Sequence, residues 1–272
     1  MNWEYYPKNY ATVFFNLNLH LNIAVNIKKR PELMFRSAIP NIITLLNMLS
    51  GALAIVATFA LKFELAALLI ILGAVFDFFD GFAARLLGVT SAVGKELDSL
   101  ADLITFGMAP AFMIMNVLFS LLNVDVNVFS LQLLIGLLPL LLGVFSGLRL
   151  AIFNVDDSQT YSFKGLPTPA NAVFQVSFAF LLLQNVQFAT WSIVLPTVIV
   201  FSALLISRID LLSFKQWKGS TRILILILLI WSVVAGFLFK FTAGVFIIPI
   251  YIILSVINSL LNNKGTKDEV HS

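Results

Sequence analysis

The chain of 272 residues contains no cysteine. Disulfides, thiolate zinc sites and cysteine nucleophiles are therefore excluded. Histidine is nearly absent too: His20 and His271 are the two present, and both lie in the terminal segments. Serine–histidine catalysis and histidine metal sites do not fit that placement. Charge is equally sparse, with Asp, Glu, Lys and Arg making up 11% of residues where a soluble domain carries roughly a quarter. A soluble globular protein is thereby excluded. Carboxylates, lysine, arginine and hydroxyls are what remain for chemistry. The net charge of +3 is small and unevenly placed, and no nucleic-acid partner is expected.

What the chain has in abundance is apolar sequence, 60% of all residues. A membrane helix needs about 20 mostly apolar residues. Eight segments qualify, at about 42–61, 65–87, 97–121, 131–153, 169–188, 191–207, 222–239 and 243–261. The sixth is the shortest and contains Pro196. Strands of a membrane barrel would alternate in polarity. These runs are continuously apolar and rich in Phe, so the expected fold is an all-α polytopic membrane protein of about eight transmembrane helices.

The basic residues predict the topology. Fifteen of the 17 fall before the first span, in alternate connections or in the tail, among them Arg36, Arg85, Lys95, Arg149, Lys164, Arg208 and Arg222. The opposite side carries Lys62 and Lys240. Both termini are expected in the cytoplasm of a cell-membrane protein. Residues 1–35 form an N-terminal extension whose basic residues follow a mildly apolar stretch, unlike a signal peptide. It reads either as an interfacial helix or as sequence ahead of a translation start at Met34. Residues 36–262 form the membrane domain, and 263–272 a cytoplasmic tail.

Five of the 14 acidic residues fall within 26 positions: Asp77, Asp80, Glu96, Asp98 and Asp102. They straddle the cytoplasmic ends of the second and third spans. Each ionisable group inside a span costs about 2.5–3.5 kcal/mol on insertion scales, so the cluster needs a compensating partner, and a divalent metal is the natural one. Asp77 and Asp80, three apart, share a helix face, as do Asp98 and Asp102, four apart. A helical hairpin can bring the four together, and hard oxygen ligands suit Mg²⁺, Mn²⁺ or Ca²⁺. Four carboxylates can hold two ions for in-line phosphoryl displacement. The small residues Gly81, Ala84, Gly88, Ser91 and Gly94 allow a bulky ligand to approach, and Arg85 offers a planar fork for phosphate oxygens. From the residues alone, a cation or proton pathway and a structural role stay open beside phosphate–metal chemistry.

The spacing Asp77-x2-Asp80-Gly81-x2-Ala84-Arg85-x8-Gly94-x3-Asp98-x3-Asp102 resembles the full signature of the CDP-alcohol phosphotransferase family at all its fixed positions. That resemblance implies a membrane enzyme with a six-helix core, here with two further C-terminal helices, that is usually homodimeric. It implies transfer of a phosphate-linked group from a CDP-activated donor to an alcohol, with release of CMP, and dependence on Mg²⁺ or Mn²⁺. Asp77, Asp80 and Asp98 are then metal ligands, and Asp102 is both ligand and general base. Gly81, Ala84, Arg85, Ser91 and Gly94 shape the CDP site. Asn41-x2-Thr44 resembles the family's polar pair near the nucleotide, with helix capping after Pro40 as the alternative.

The stretch from Gly147 to Asn154, with Phe163-Lys-Gly165-Leu-Pro167-Thr-Pro169-Ala-Asn171, resembles the phosphatidylserine synthase branch. Ile152 stands where many relatives carry a basic residue. The branch implies CDP-diacylglycerol and L-serine as substrates, with Arg149 and Asn154 as acceptor contacts. Span anchoring by Arg149 and capping by Asn154 are the structural alternatives. Glycerol 3-phosphate and inositol are the competing acceptors, and a cation or proton transporter is the competing class.

Overall fold

The structure, a computed structural model, describes residues 36–89, 91–156, 163–185, 187, 190–211 and 219–268. The N-terminal extension and the last four residues lie outside that set, and the side chains of 260–268 are not described. Within it the chain forms eight long helical segments. They are α1 (Arg36–Phe59), α2 (Phe63–Leu87), α3 (Ala92–Leu122), α4 (Leu131–Val155), α5 (Thr168–Gln184), α6 (Trp191–Ile206), α7 (Gly219–Phe239) and α8 (Gly244–Asp268). Each expected span is helical. The largest departure at a helix start is at α1, which begins six residues early and takes Pro40 and Asn41 inside the helix. Pro40 has no N–H to offer the carbonyl of Arg36, so the helix lacks that one bond near its start.

Five segments are long and apolar enough to cross a membrane: α1, α2, α3, α4 and the stretch Thr221–Thr242. Shorter apolar helices accompany them, including α6 and Gly244–Ser259 within α8. The outer faces of α1 and α2 expose Leu53, Val56, Leu68, Phe78, Phe79 and Phe82. Large apolar side chains in such numbers face outward where the surroundings are lipid. The protein is therefore an all-α polytopic membrane protein. It also has one short antiparallel ladder, β1 (Phe163–Lys164) against β2 (Asp210–Leu211).

The core lies around α5 and the middle of α3. Nearly every residue of α5 from Asn171 to Phe180 is buried, and α3 buries Phe106, Met113, Ile114, Val117 and Leu118. Phe174 of α5 stacks on Phe201 of α6 with ring centroids 3.8 Å apart, a contact that joins the two helices. α8 packs on α5, and α7 on α8. In lipid, helices associate through close packing of small residues rather than through apolar burial. The spacing Gly143-x3-Gly147 does this for α4. A methyl at Gly143 would run into Met108, and one at Gly147 would lie 3.4 Å from Leu103.

Those contacts fall on a distinct part of α3. Residues Leu103–Met108 form a π-helical turn directly after Asp102. Such a turn widens the helix and re-aims the side chains beside it, and it recurs at functional sites. Thr105, inside the turn, donates its hydroxyl to the carbonyl oxygen of Asn47 on α1 at 3.0 Å. Its side chain also fills the space that side chains at Gly51 and Gly73 would take. The crossing of α1, α2 and α3 is thus locked just below the acidic cluster.

Candidate active site

The turn between α2 and α3 sets the acidic cluster. α2 ends at Gly88, whose φ of 62° is left-handed and free of strain only for glycine. The N–H groups of Gly88 and Val89 donate to the carbonyls of Arg85 and Ala84, at 3.3 and 3.1 Å. α3 then starts at Ser91, whose Oγ accepts the Gly94 N–H at 2.9 Å. This is a serine N-cap, and it gives Ser91 a structural task in addition to its place beside the ligand site. The hairpin so closed faces the end of α2 toward the start of α3.

Asp77 on α2 and Asp98 and Asp102 on α3 meet there. One carboxylate oxygen from each lies within 4.8 Å of the other two. Oδ1 of Asp102 is buried and has no hydrogen-bond partner. A buried carboxylate oxygen without a donor is costly, and a cation is the partner the chemistry calls for. Three half-buried carboxylate oxygens, with no histidine or cysteine in the group among the described residues, suit a hard divalent ion. The residues present therefore fit a metal of this kind.

Asp80 stands apart from the triad. Its Oδ2 lies 2.6 Å from the Thr44 hydroxyl of α1, and that hydroxyl is also 3.0 Å from the Pro40 carbonyl. Asp80 remains close enough to act electrostatically on Asp77, Asp98 and Asp102. With Asp98 of the triad, it lines an adjoining cavity of about 500 Å³.

That cavity is lined by Asn41, Thr44, Asp80, Gly81, Ala84, Ser91, Gly94 and Asp98. Eight residues singled out by sequence thus share one hollow, drawn from α1, α2 and α3. Arg85 is exposed at its edge, its guanidinium 3.4 Å from the position a Gly81 methyl would occupy. Sequence reasoning did not assign Ser37, Pro40, Val89, Ala92 and Lys95, which complete the lining. Helical spacing from Asn41 back to Ser37 was the signal available for one of them.

Arg149 is buried on the other side of Asp102. Its Nη1 donates to Thr168 Oγ1 at the start of α5, at 3.2 Å. It interacts electrostatically with Asp102 and with Tyr251 of α8, and its Nε has no partner. Arg149 also lines a second cavity of about 320 Å³ with Ile152, Phe153, Ser207 and Arg208. Asn154 turns elsewhere. Its side-chain amide donates to Ser99 Oγ at 2.9 Å, and its backbone carbonyl accepts from Lys95 Nζ at 2.9 Å. The structure does not bring Asn154 and Arg149 onto one group.

The family model for CDP-alcohol phosphatidyltransferase matches residues 37–206, a range that holds the cavity, the triad and Arg149. A CDP-diacylglycerol–serine O-phosphatidyltransferase of Helicobacter pylori is 32% identical over 201 residues, covering 72% of this chain and 80% of the relative. One of the same name from Bacillus subtilis is 38% identical over 142 residues, or 52% of this chain and 75% of the relative. An archaetidylserine synthase of Methanothermobacter thermautotrophicus is 33% identical over 175 residues, covering 64% and 71%. With the matched range and the carboxylate hairpin in agreement, the chain belongs to the CDP-alcohol phosphatidyltransferase family of membrane enzymes.

Proposed function

We propose that the protein transfers the phosphatidyl group of CDP-diacylglycerol to the hydroxyl of L-serine, giving phosphatidylserine and CMP. It does so as a homodimer in the cell membrane, with both termini cytoplasmic. The observation that carries this is the carboxylate triad with the unpartnered Asp102 oxygen, next to a cavity on one side and a buried arginine on the other. The names of the relatives support serine as acceptor. Lys62 and Lys240 at the α1–α2 and α7–α8 turns, opposite the acidic end, support the orientation.

Asp77, Asp98 and Asp102 would hold Mg²⁺ or Mn²⁺, with Asp80 completing a two-ion site. When bound, the metal supplies polarisation of the diphosphate and neutralises the charge that develops on CMP. The chain's own residues do the rest. The CDP head lies in the cavity of Asn41, Thr44, Gly81, Ala84, Ser91 and Gly94. Arg85 pairs with phosphate oxygens from the rim. The first-turn N–H groups of α3, where not used by the Ser91 cap, also face anions. The diacylglycerol tails lie against the apolar faces of the helices.

Arg149 takes the serine carboxylate, and Asn154 positions the end of α4 through Ser99. Asp102 accepts the hydroxyl proton of serine. The freed oxygen attacks the phosphatidyl phosphorus, and the bond from that phosphorus to CMP breaks. Purified protein with Mn²⁺ or Mg²⁺ tests this by CMP release from CDP-diacylglycerol. Release that requires serine supports the assignment. Release with glycerol 3-phosphate or inositol instead keeps the chemistry and overturns the acceptor. Absence of release with all three, from folded protein that binds metal, favours a cation or proton pathway.

A further inference from the structure

α5 carries a polar stripe that none of the chemistry above uses. Thr168, Asn171 and Gln175 are spaced three and four apart, so they share one face. All three are fully buried, over the first two turns of a mostly apolar helix. Thr168 accepts from Arg149, which places this face on the Arg149 side of the site. α5 also packs on the π-helical turn that follows Asp102 and on α8, the helix of Tyr251.

The stripe satisfies itself incompletely. Gln175 Nε2 donates to Asn171 Oδ1 at 3.1 Å. That leaves Asn171 Nδ2, a donor, and Gln175 Oε1, an acceptor, both buried without partners. Arg149 Nε is a third such atom. Turning both amides over exchanges the roles of Asn171 and Gln175 but still leaves one donor and one acceptor. Buried polar atoms in a membrane helix are expensive to leave unpaired, so the set calls for a ligand with matching groups. A cationic donor and an amide donor match a carboxylate. An amide oxygen matches an ammonium. An amino acid carries both on one carbon, and inositol or a glycerol phosphate does not.

We propose that Asn171 and Gln175 are specificity-determining residues that, with Arg149, recognise the zwitterionic end of the amino-acid acceptor. This rests on the serine reading above. The carboxylate lies against Arg149 and Nδ2 of Asn171, the ammonium against Oε1 of Gln175, and the hydroxyl points toward Asp102. Discrimination of this kind is strong because an alcohol lacking either group leaves buried atoms unpaired.

The test is steady-state kinetics of CMP release for wild type, Asn171→Ala, Asn171→Asp and Gln175→Leu. Serine is compared with serinol, which lacks the carboxylate, and with glycerate, which lacks the ammonium. Asn171→Ala and Gln175→Leu are expected to raise the serine KM at least about tenfold. The KM for CDP-diacylglycerol should stay unchanged and the preference for serine over the two analogues should narrow. Asn171→Asp keeps the shape and sets a carboxylate against the acceptor's own, so its serine KM should rise further. It also decides the matter if Asn171→Ala does not fold. A merely structural role would lower kcat or protein yield and move both substrates together, with the serine preference intact, and that result overturns the proposal. Wild type that uses another alcohol and ignores serine overturns the serine reading itself, a separate outcome visible before any variant is made.

Discussion

The hydroxyl of Thr44 on α1 lies 2.6 Å from Oδ2 of Asp80 on α2. This bond ties α1 to the carboxylate cluster beside the cavity of about 500 Å³ and holds the rotamer of the one motif aspartate that stands outside the triad. Partners that orient metal ligands typically matter by about 10–100-fold in metal affinity. Thr44→Val removes the donor with little change in shape. The expected result is an apparent Mn²⁺ affinity weaker by at least about tenfold, read from the metal dependence of CMP release. The rise in melting temperature that saturating Mn²⁺ gives wild type should be smaller at the same concentration. Unchanged metal dependence would show that Asp80 needs no such anchor.

Gly94 is required by proximity. A methyl there would meet Ser91 Oγ at 2.9 Å and Asn41 Oδ1 at 3.0 Å. Both are side-chain atoms, so the fold can yield, but the cavity wall cannot keep its shape. Gly94→Ala is expected to raise the KM for CDP-diacylglycerol about tenfold or more, since misplaced binding groups near a reaction cost that much. Loss of stability should stay near the roughly 1 kcal/mol of a weakened N-cap. Kinetics and a thermal melt in detergent separate the two effects.

The absence of cysteine makes the orientation directly testable. Single substitutions Lys62→Cys, Lys240→Cys and Arg208→Cys introduce unique thiols at opposite ends of the helices. With a membrane-impermeant maleimide, right-side-out vesicles should label the first two and spare the third. Inverted vesicles should give the reverse. Labelling of all three from one side would contradict the placement of both termini in the cytoplasm.

Much of this architecture was legible in sequence because lipid enforces simple rules. Continuous apolar runs gave eight helices, with most of their starts and ends placed to within a few residues. The hairpin and its paired aspartates followed from helical spacing. What spacing could not give was the division of labour among the carboxylates. Asp80 turns to Thr44 because α1 lies against α2 there, and that crossing depends on Gly51, Gly73 and Thr105 meeting in space. The π-helical turn after Asp102 has no local sequence signature. Asn154 of α4 sits against α3, its side-chain amide on Ser99 and its backbone carbonyl on Lys95, partners that spacing within one span does not reveal. The ladder of β1 with β2 joins segments far apart in the chain. It accompanies Gly165, whose φ of 77° places it against the carbonyls ending α6.

The most direct test of the account is incorporation of labelled serine into extractable lipid by the purified protein, with CMP counted in parallel. The account predicts one lipid-bound serine per CMP released. It also predicts that Asp102→Asn, folded and with CDP-diacylglycerol still bound, loses at least about a hundredfold in rate, the scale of a missing general base. Serine incorporation that survives Asp102→Asn, or CMP release with no serine in the lipid, would contradict it.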